Sequence, residues 1–283
     1  MRQKVILFLI ISNLGICKDN PVYEDLNQFD DSSLSEELKS QYIEDASRLT
    51  VGEMRKKRFH YDTHIAIDDS IFNRYYSSLV SIYNSFLPVR DTIVDSLELH
   101  TNHGPNLYFV SVTTNKEATW TKFWKNGKSF TGIEIIDSTM KKHSLSISQF
   151  IPKHRQMRNS NNDYFTMKSD TPINTNALSI FLNSTKYIVR SSSGSAYIGD
   201  ISNIYGDMNE NNVILTYRLG MGDCPAGCTC VHRWIIQVDR NGNVKCIDQN
   251  GDYIYFESGK AKCKENKLDI PYPDWKRSIR NYR

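Results

Sequence analysis

The sequence predicts an α+β protein in which an N-terminal helix is followed by two helix-plus-antiparallel-sheet units. Apolar residues recur at helical spacing over 34–56 and 71–86, while 213–219 and 231–238 alternate with a period of two. Asn126-Gly127 and Asn241-Gly242 separate runs rich in β-branched and aromatic residues, the signature of tight hairpin turns.

The chain opens with the basic M-R-Q-K and an apolar run over 5–16, which reads as a signal peptide over 1–17 and is too short to span a bilayer. Cleavage after Cys17 places Gly15 and Cys17 at the positions a signal peptidase inspects. Alternatively, Leu14-Gly15-Ile16-Cys17 is a lipidation box, with the bulky Ile16 counting against it. Both routes take Cys17 out of disulfide pairing. The expected location is the periplasm, the cell surface or the extracellular space, with membrane contact only through an N-terminal lipid.

Residues 18–31 form an acidic, Asn/Asp/Ser-rich leader. Ser33 and Glu36 have capping-box spacing ahead of Leu34, Leu38, Tyr42, Ala46 and Leu49, so a helix is expected over 34–56, with Gly52 weakening its last turn. Asp68 to Ser70 cap a second helix over 71–86, stopped by Pro88. Strands over 96–100, 107–113, 119–125 and 130–136 complete a unit spanning 32–154, and the polar stretch 155–163 is a connecting loop. The second unit, 164–259, begins with a helix over 174–189 and continues with strands over 196–200, 213–219, 231–238 and 244–248. A basic tail, 260–283, follows.

A net charge of +3 is mild. The basic clusters at 55–58 and 262–283 are short or broken by acids, and no aromatic RNA-binding signature accompanies them, so nucleic acid is not an expected partner. Gly127-Lys128-Ser129 lacks the first glycine of a phosphate loop, and His60 and His64 lack the glutamate of a metalloprotease helix. His100 and His103 border a turn and read as surface residues. Sixteen tyrosines and four tryptophans supply contact surface as well as core.

Chemistry concentrates in G-M-G-D-C-P-A-G-C-T-C-V-H-R-W over 220–234, where Gly220, Gly222, Asp223, Pro225, Gly227 and Trp234 frame three cysteines. With Cys17 removed, five cysteines remain: Cys224, Cys228, Cys230, Cys246 and Cys263. Disulfides are the ordinary outcome in an exported chain, and an odd count leaves one thiol over. Zinc held by Cys224, Cys228, Cys230 and His232 is the second reading, although C-x₃-C-x-C-x-H is no standard spacing. A thiol centre pairing Cys230 with His232 is the third, without a third residue to orient it.

Strand alternation places Cys230, His232 and Trp234 on one face. If Asn241-Gly242 is a two-residue turn, Cys246 sits opposite Gln237, on the other face, where it is a poor partner for Cys230 and could bond Cys263, leaving one local bond and one free thiol among Cys224, Cys228 and Cys230. One bulge at the turn reverses that conclusion.

The run G-x-G-D-C-P-A-G-C with His232-x-Trp234, joined by Y-I-E-D-A-S-R-L (42–49), Y-Y-S-S-L-V-S-I-Y-N-S (75–85), L-E-L-H-T (97–101) and W-T-K-F-W (120–124), resembles a group of uncharacterised exported bacterial proteins. The resemblance covers about residues 40–250 and implies export without implying an activity. Met221 stands where the group often has tryptophan, and Cys230 is an addition. The expected function is binding of a peptide or protein partner by a non-enzymatic protein that needs no cofactor. The alternatives are a zinc-binding or thiol-dependent enzyme centred on 224–232 and a protease-inhibitor or propeptide-like module.

Overall fold

The computed structural model describes residues 30–102, 104–152, 161–194, 201–257 and 260–264. The signal segment with Cys17, most of the leader, His103, the strand expected over 196–200 and the tail beyond Lys264 lie outside the described residues.

The chain is α+β, with a helix at its N-terminal side. In α1 (Glu36–Lys56) the cap is Ser35, whose Oγ accepts from the Leu38 amide at 3.2 Å. Ser33, the expected cap, instead donates its hydroxyl to Asn84 Oδ1 at 2.9 Å. Glu36 and Glu37 occupy the first turn and Arg55 and Lys56 the last, matching the helix dipole at both ends.

Gly52 sits within α1 on the exposed side, and a Cβ built there meets nothing within 4 Å. Gly52→Ala is therefore expected to stabilise the protein by about 0.5–1 kcal/mol, because alanine loses less backbone entropy in a helix. A thermal melt that does not rise contradicts this.

The short α2 (Arg58–Thr63) leads to α3 (Asp69–Asn84), capped by the Asp68 carboxylate on the Ile71 amide at 3.0 Å, and the helix ends before Pro88. A π-helical turn, Asp91–Ser96, then runs into a non-strand segment in place of the strand expected over 96–100. Leu97 and Leu99 alternate for two positions only, too few to define a pleat, and both pack beneath α1 and α3.

The middle of the chain contributes β1 (Phe109–Asn115), a 3₁₀ turn Thr119–Thr121, α4 (Lys122–Lys125), α5 (Glu134–Lys142), β2 (Leu145–Ile151), β3 (Asn162–Ser169), α6 (Thr175–Ser184) and β4 (Arg190–Ser192). They form an antiparallel sheet ordered β2-β3-β1-β4.

Two expected strands are helical instead. Trp120, Lys122 and Trp124 satisfy alternation, but Trp120 and Trp124 also share one helical face, and their rings meet edge-on at 5.1 Å. Likewise Ile133, Ile136 and Met140 form the buried stripe around α5 that a strand over 130–136 cuts short.

The last third forms a meander of β5 (Asn203–Met208), β6 (Asn212–Met221), β7 (Cys230–Asp239) and β8 (Val244–Gly251), ordered β5-β6-β7-β8. A separate hairpin, β9 (Tyr253–Glu257) and β10 (Lys260–Lys264), takes the start of the expected tail into a strand.

Two cores result, and they do not follow chain order. Tyr42, Ala46 and Leu49 of α1 and Tyr75 and Leu79 of α3 bury against Leu215, Tyr217, Trp234 and Ile236 of the C-terminal meander. Trp124, Ile136 and Met140 bury with Val110, Phe165, Met167, Leu178 and Leu182. The N-terminal helices thus cover the C-terminal sheet, and the middle segment makes its own core between them. The consecutive units expected at 32–154 and 164–259 are replaced by this nested order, because an amphipathic stripe reveals that a helix face is buried without revealing what covers it.

Candidate functional site

In β7 the alternation holds: Cys230, His232, Trp234, Ile236 and Val238 are buried, and the residues between them are half-exposed. The β7–β8 turn is one residue longer than a two-residue hairpin. Asp239 and Asn243 close it, the Asn243 carbonyl accepting from the Asp239 amide at 3.1 Å, and Gly242 takes φ 85°. The Asp239 carboxylate holds the loop by accepting from the amides of Asn241 and Asn243 at 2.8 and 2.9 Å.

Ile236, not Gln237, therefore faces Cys246, which lies on the same buried side as Cys230. Cys230 bonds to Cys263, with Cα atoms 6.3 Å apart, and Cys224 bonds to Cys228. Cys246 is disulfide-bonded as well, so the expected Cys246–Cys263 bond and the leftover thiol are both replaced.

The corner that brings β10 back over Cys230 is built at Gly251 and Asp252. Asp252 binds Val231 twice, its amide donating to the Val231 carbonyl and its carboxylate accepting from the Val231 amide, each at 2.8 Å. A Cβ on Gly251 would lie 2.2 Å from the Val231 carbonyl oxygen, so only glycine fits this approach. Gly220 has a similar role beneath the turn, where a Cβ would lie 2.5 Å from Cys228 Sγ. Gly222 precedes the Cys224–Cys228 loop and Gly227 lies within it, Asp223 and Pro225 are exposed, and the Asp223 carbonyl accepts from the Ala226 amide.

The residues at 224–232 do not fit zinc. The three sulfurs are bonded in disulfides and carry no thiolate, and His232 is engaged at both ring nitrogens. Its Nδ1 contacts the Asp252 carbonyl at 2.7 Å and its Nε2 the Gln249 amide nitrogen at 3.0 Å, which assigns a neutral ring donating from Nδ1 and accepting at Nε2. Cys230 in a disulfide is equally unable to act as the nucleophile of a Cys/His pair.

Burial lowers the His232 pKa below its ordinary value, with the Asp252 contacts opposing. The unfolded chain consequently binds the proton first as pH falls, so this contribution to stability is complete above about pH 6.5 and is lost as pH drops toward the folded-state value. His143 shifts in the same direction, from burial and then Lys142. His232→Gln should flatten the slope of unfolding free energy against pH just below this point. An unchanged slope in denaturant titrations counts against the assignment.

A cleft of about 660 Å³ opens where the two cores meet. Its walls come from α1 (Arg48, Gly52, Arg55), from Thr101, Asn102 and Gly104 to Asn106, from the start of α6, Ser193 and Gly194 after β4, and Ile204 to Gly206 of the edge strand β5. Asparagines brace it. Asn174 caps α6 through the Ala177 amide while its Nδ2 donates to the carbonyls of Tyr61 and His64, and Asn106 Nδ2 donates to those of Phe109 and Ser193.

Beside the cleft, fully buried Asp45 accepts from the Thr101 amide at 2.9 Å and the Thr101 hydroxyl at 2.6 Å, and its other oxygen lies 2.6 Å from His100 Nδ1. Arg48 reaches Glu44 at 2.8 Å and, at 3.4 Å, the Thr101 oxygen.

No protein-family model, curated protein or solved structure matches the chain.

The cleft gathers residues that sequence reading did not combine. The runs 42–49 and 97–101 carry Asp45, Arg48, His100 and Thr101, and the 55 residues that separate Asp45 from His100 leave no local pattern to join them. His100, expected as a surface residue, is a half-buried partner of Asp45. His60 and His64 stack on each other at 4.6 Å on the exposed side of the α2 region.

Proposed function

We propose that the chain is an exported, non-enzymatic binding protein of the periplasm, cell surface or extracellular space, which holds a segment of a peptide or protein partner in the cleft between its two cores. The Cys-rich turn is a structural staple in this reading. One observation carries it: a cleft of a volume typical of ligand sites runs beside β5, the strand at the edge of its sheet. The asparagine braces support it further, since a wall whose loops are already tied loses little entropy on binding. Disulfides are compatible with an oxidising compartment, and the apolar N-terminal run supports export.

The test is selection of displayed random peptides on the oxidised full chain. Enriched peptides should bind saturably, and Gly52→Trp, which fills the cleft from a position with free space around it, should weaken them at least tenfold without lowering the melting temperature. No saturable binder, or binders indifferent to Gly52→Trp, overturns the proposal.

A further inference from the structure

The charge and donor pattern of the cleft defines its occupant more narrowly. Of its lining residues, the charged ones are Arg48 and Arg55, and no aspartate or glutamate is among them.

Arg48 is 8% exposed, so its cation is largely withdrawn from water. A guanidinium has five N–H donors. Nη2 is paired with the Glu44 carboxylate and Nη1 makes a long contact to Thr101, while Nε is buried without a partner among the described residues and offers no surface to a ligand. The Nη groups carry four of the five donors, so they have N–H groups left for a second acceptor beside Glu44.

Asn203 adds an independent sign. It is 9% exposed, its Oδ1 accepts from the Asn102 amide at 2.8 Å, and its Nδ2 has no partner among the described residues. Asn102 is committed in the same way, its Oδ1 accepting from the Gly104 amide at 3.1 Å. Both amides spend their acceptor on the protein and line the cleft, and no described residue takes their Nδ2 donors. Arg48, Asn102 and Asn203 together ask for an acceptor-bearing, negatively charged group.

The same wall includes backbone. Ile204, Tyr205 and Gly206 line the cleft on β5, the terminal strand of its sheet. The Gly206 carbonyl accepts from Lys56 Nζ at 3.4 Å and is thus partly engaged. Alternate amides and carbonyls of a terminal strand face away from its single neighbour, so β5 has an outer edge besides the one that pairs with β6. An extended main chain finds pairing groups there, which a sugar ring would use poorly.

We propose that the cleft binds an extended acidic peptide, its main chain against the outer edge of β5 and a side-chain carboxylate between Arg48 and Asn203. This rests on the cleft being a peptide site and adds the chemistry of the peptide.

The test titrates the oxidised full chain with three fluorescent probes: acetyl-Val-Glu-Val-Glu-Val-amide, its Gln-for-Glu counterpart, and an oligogalacturonate of similar length. The Glu peptide should bind at least tenfold tighter than the Gln peptide and weaken steeply with salt. Arg48→Gln should abolish the preference. Because Arg48 also contacts Glu44 and Thr101, Asn203→Asp is the second variant: it keeps the acceptor for the Asn102 amide, adds a negative charge, and should cost at least tenfold in Glu-peptide binding at an unchanged melting temperature.

Equal binding of the Glu and Gln peptides overturns the acidic specificity while leaving peptide binding intact. Tighter binding of the oligogalacturonate overturns both, as does binding of none of the three. Glu-peptide binding that Asn203→Asp leaves unchanged overturns the placement of the carboxylate.

Discussion

Cys230→Ser is expected to lower the stability of the oxidised protein by about 3–4 kcal/mol, the loop-entropy value for a bond that closes a separation of 33 residues. Cys230 is buried at the start of β7, and its bond fastens the β9–β10 hairpin to the main sheet. Cys263→Ser should cost the same, and the double variant little more than either, because all three remove one constraint. Cys224→Ser provides the contrast: its bond spans a separation of four residues, for which the same relation gives only about 2 kcal/mol. Denaturant titrations of the four variants without reductant decide the matter. Equal losses at Cys224 and Cys230 would reject the hairpin staple as the larger contribution.

Asp45→Ala should cost about 3–5 kcal/mol, the range for stripping one partner from a buried charged cluster. The carboxylate is fully buried and serves His100 and Thr101 at once, so alanine leaves the Thr101 amide and hydroxyl without their acceptor and His100 without its counter-group. Asp45→Asn preserves volume and one acceptor and should lose less. Combining Asp45→Ala with Thr101→Val should be clearly sub-additive, since the second change removes the hydroxyl that the first has orphaned. Strict additivity in equilibrium unfolding would show that the two side chains are not energetically coupled.

How far the sequence could be read depended on how local each signal was. The inward face of β7 followed from Cys230, His232, Trp234 and Ile236 alone, because alternation within one strand needs no partner. The Asn241-Gly242 turn was visible, but its length was not: the Asp239 carboxylate stabilises the longer loop, and that single residue moved Cys246 to the other face. Trp120 and Trp124 fit both periods, so the helical outcome at 119–125 depended on burial against Phe165, which lies far along the chain.

β3 was hidden for a related reason. It buries Asp163 and Ser169 as well as Phe165 and Met167, and two apolar positions do not make a readable alternation. The cleft was least legible. Arg48, Asn102 and Asn203 come from three distant segments, and as isolated letters each is an ordinary polar surface residue.

Synthesis runs against the nested order of the cores. The faces of α1 and α3 that bury Tyr42, Leu49 and Leu79 emerge from the ribosome well before residues 203–251, which make their cover. A nascent chain halted before residue 203 already contains both layers of the middle core but leaves two uncovered apolar helix faces upstream of it, a natural foothold for chaperones until β5 to β8 arrive.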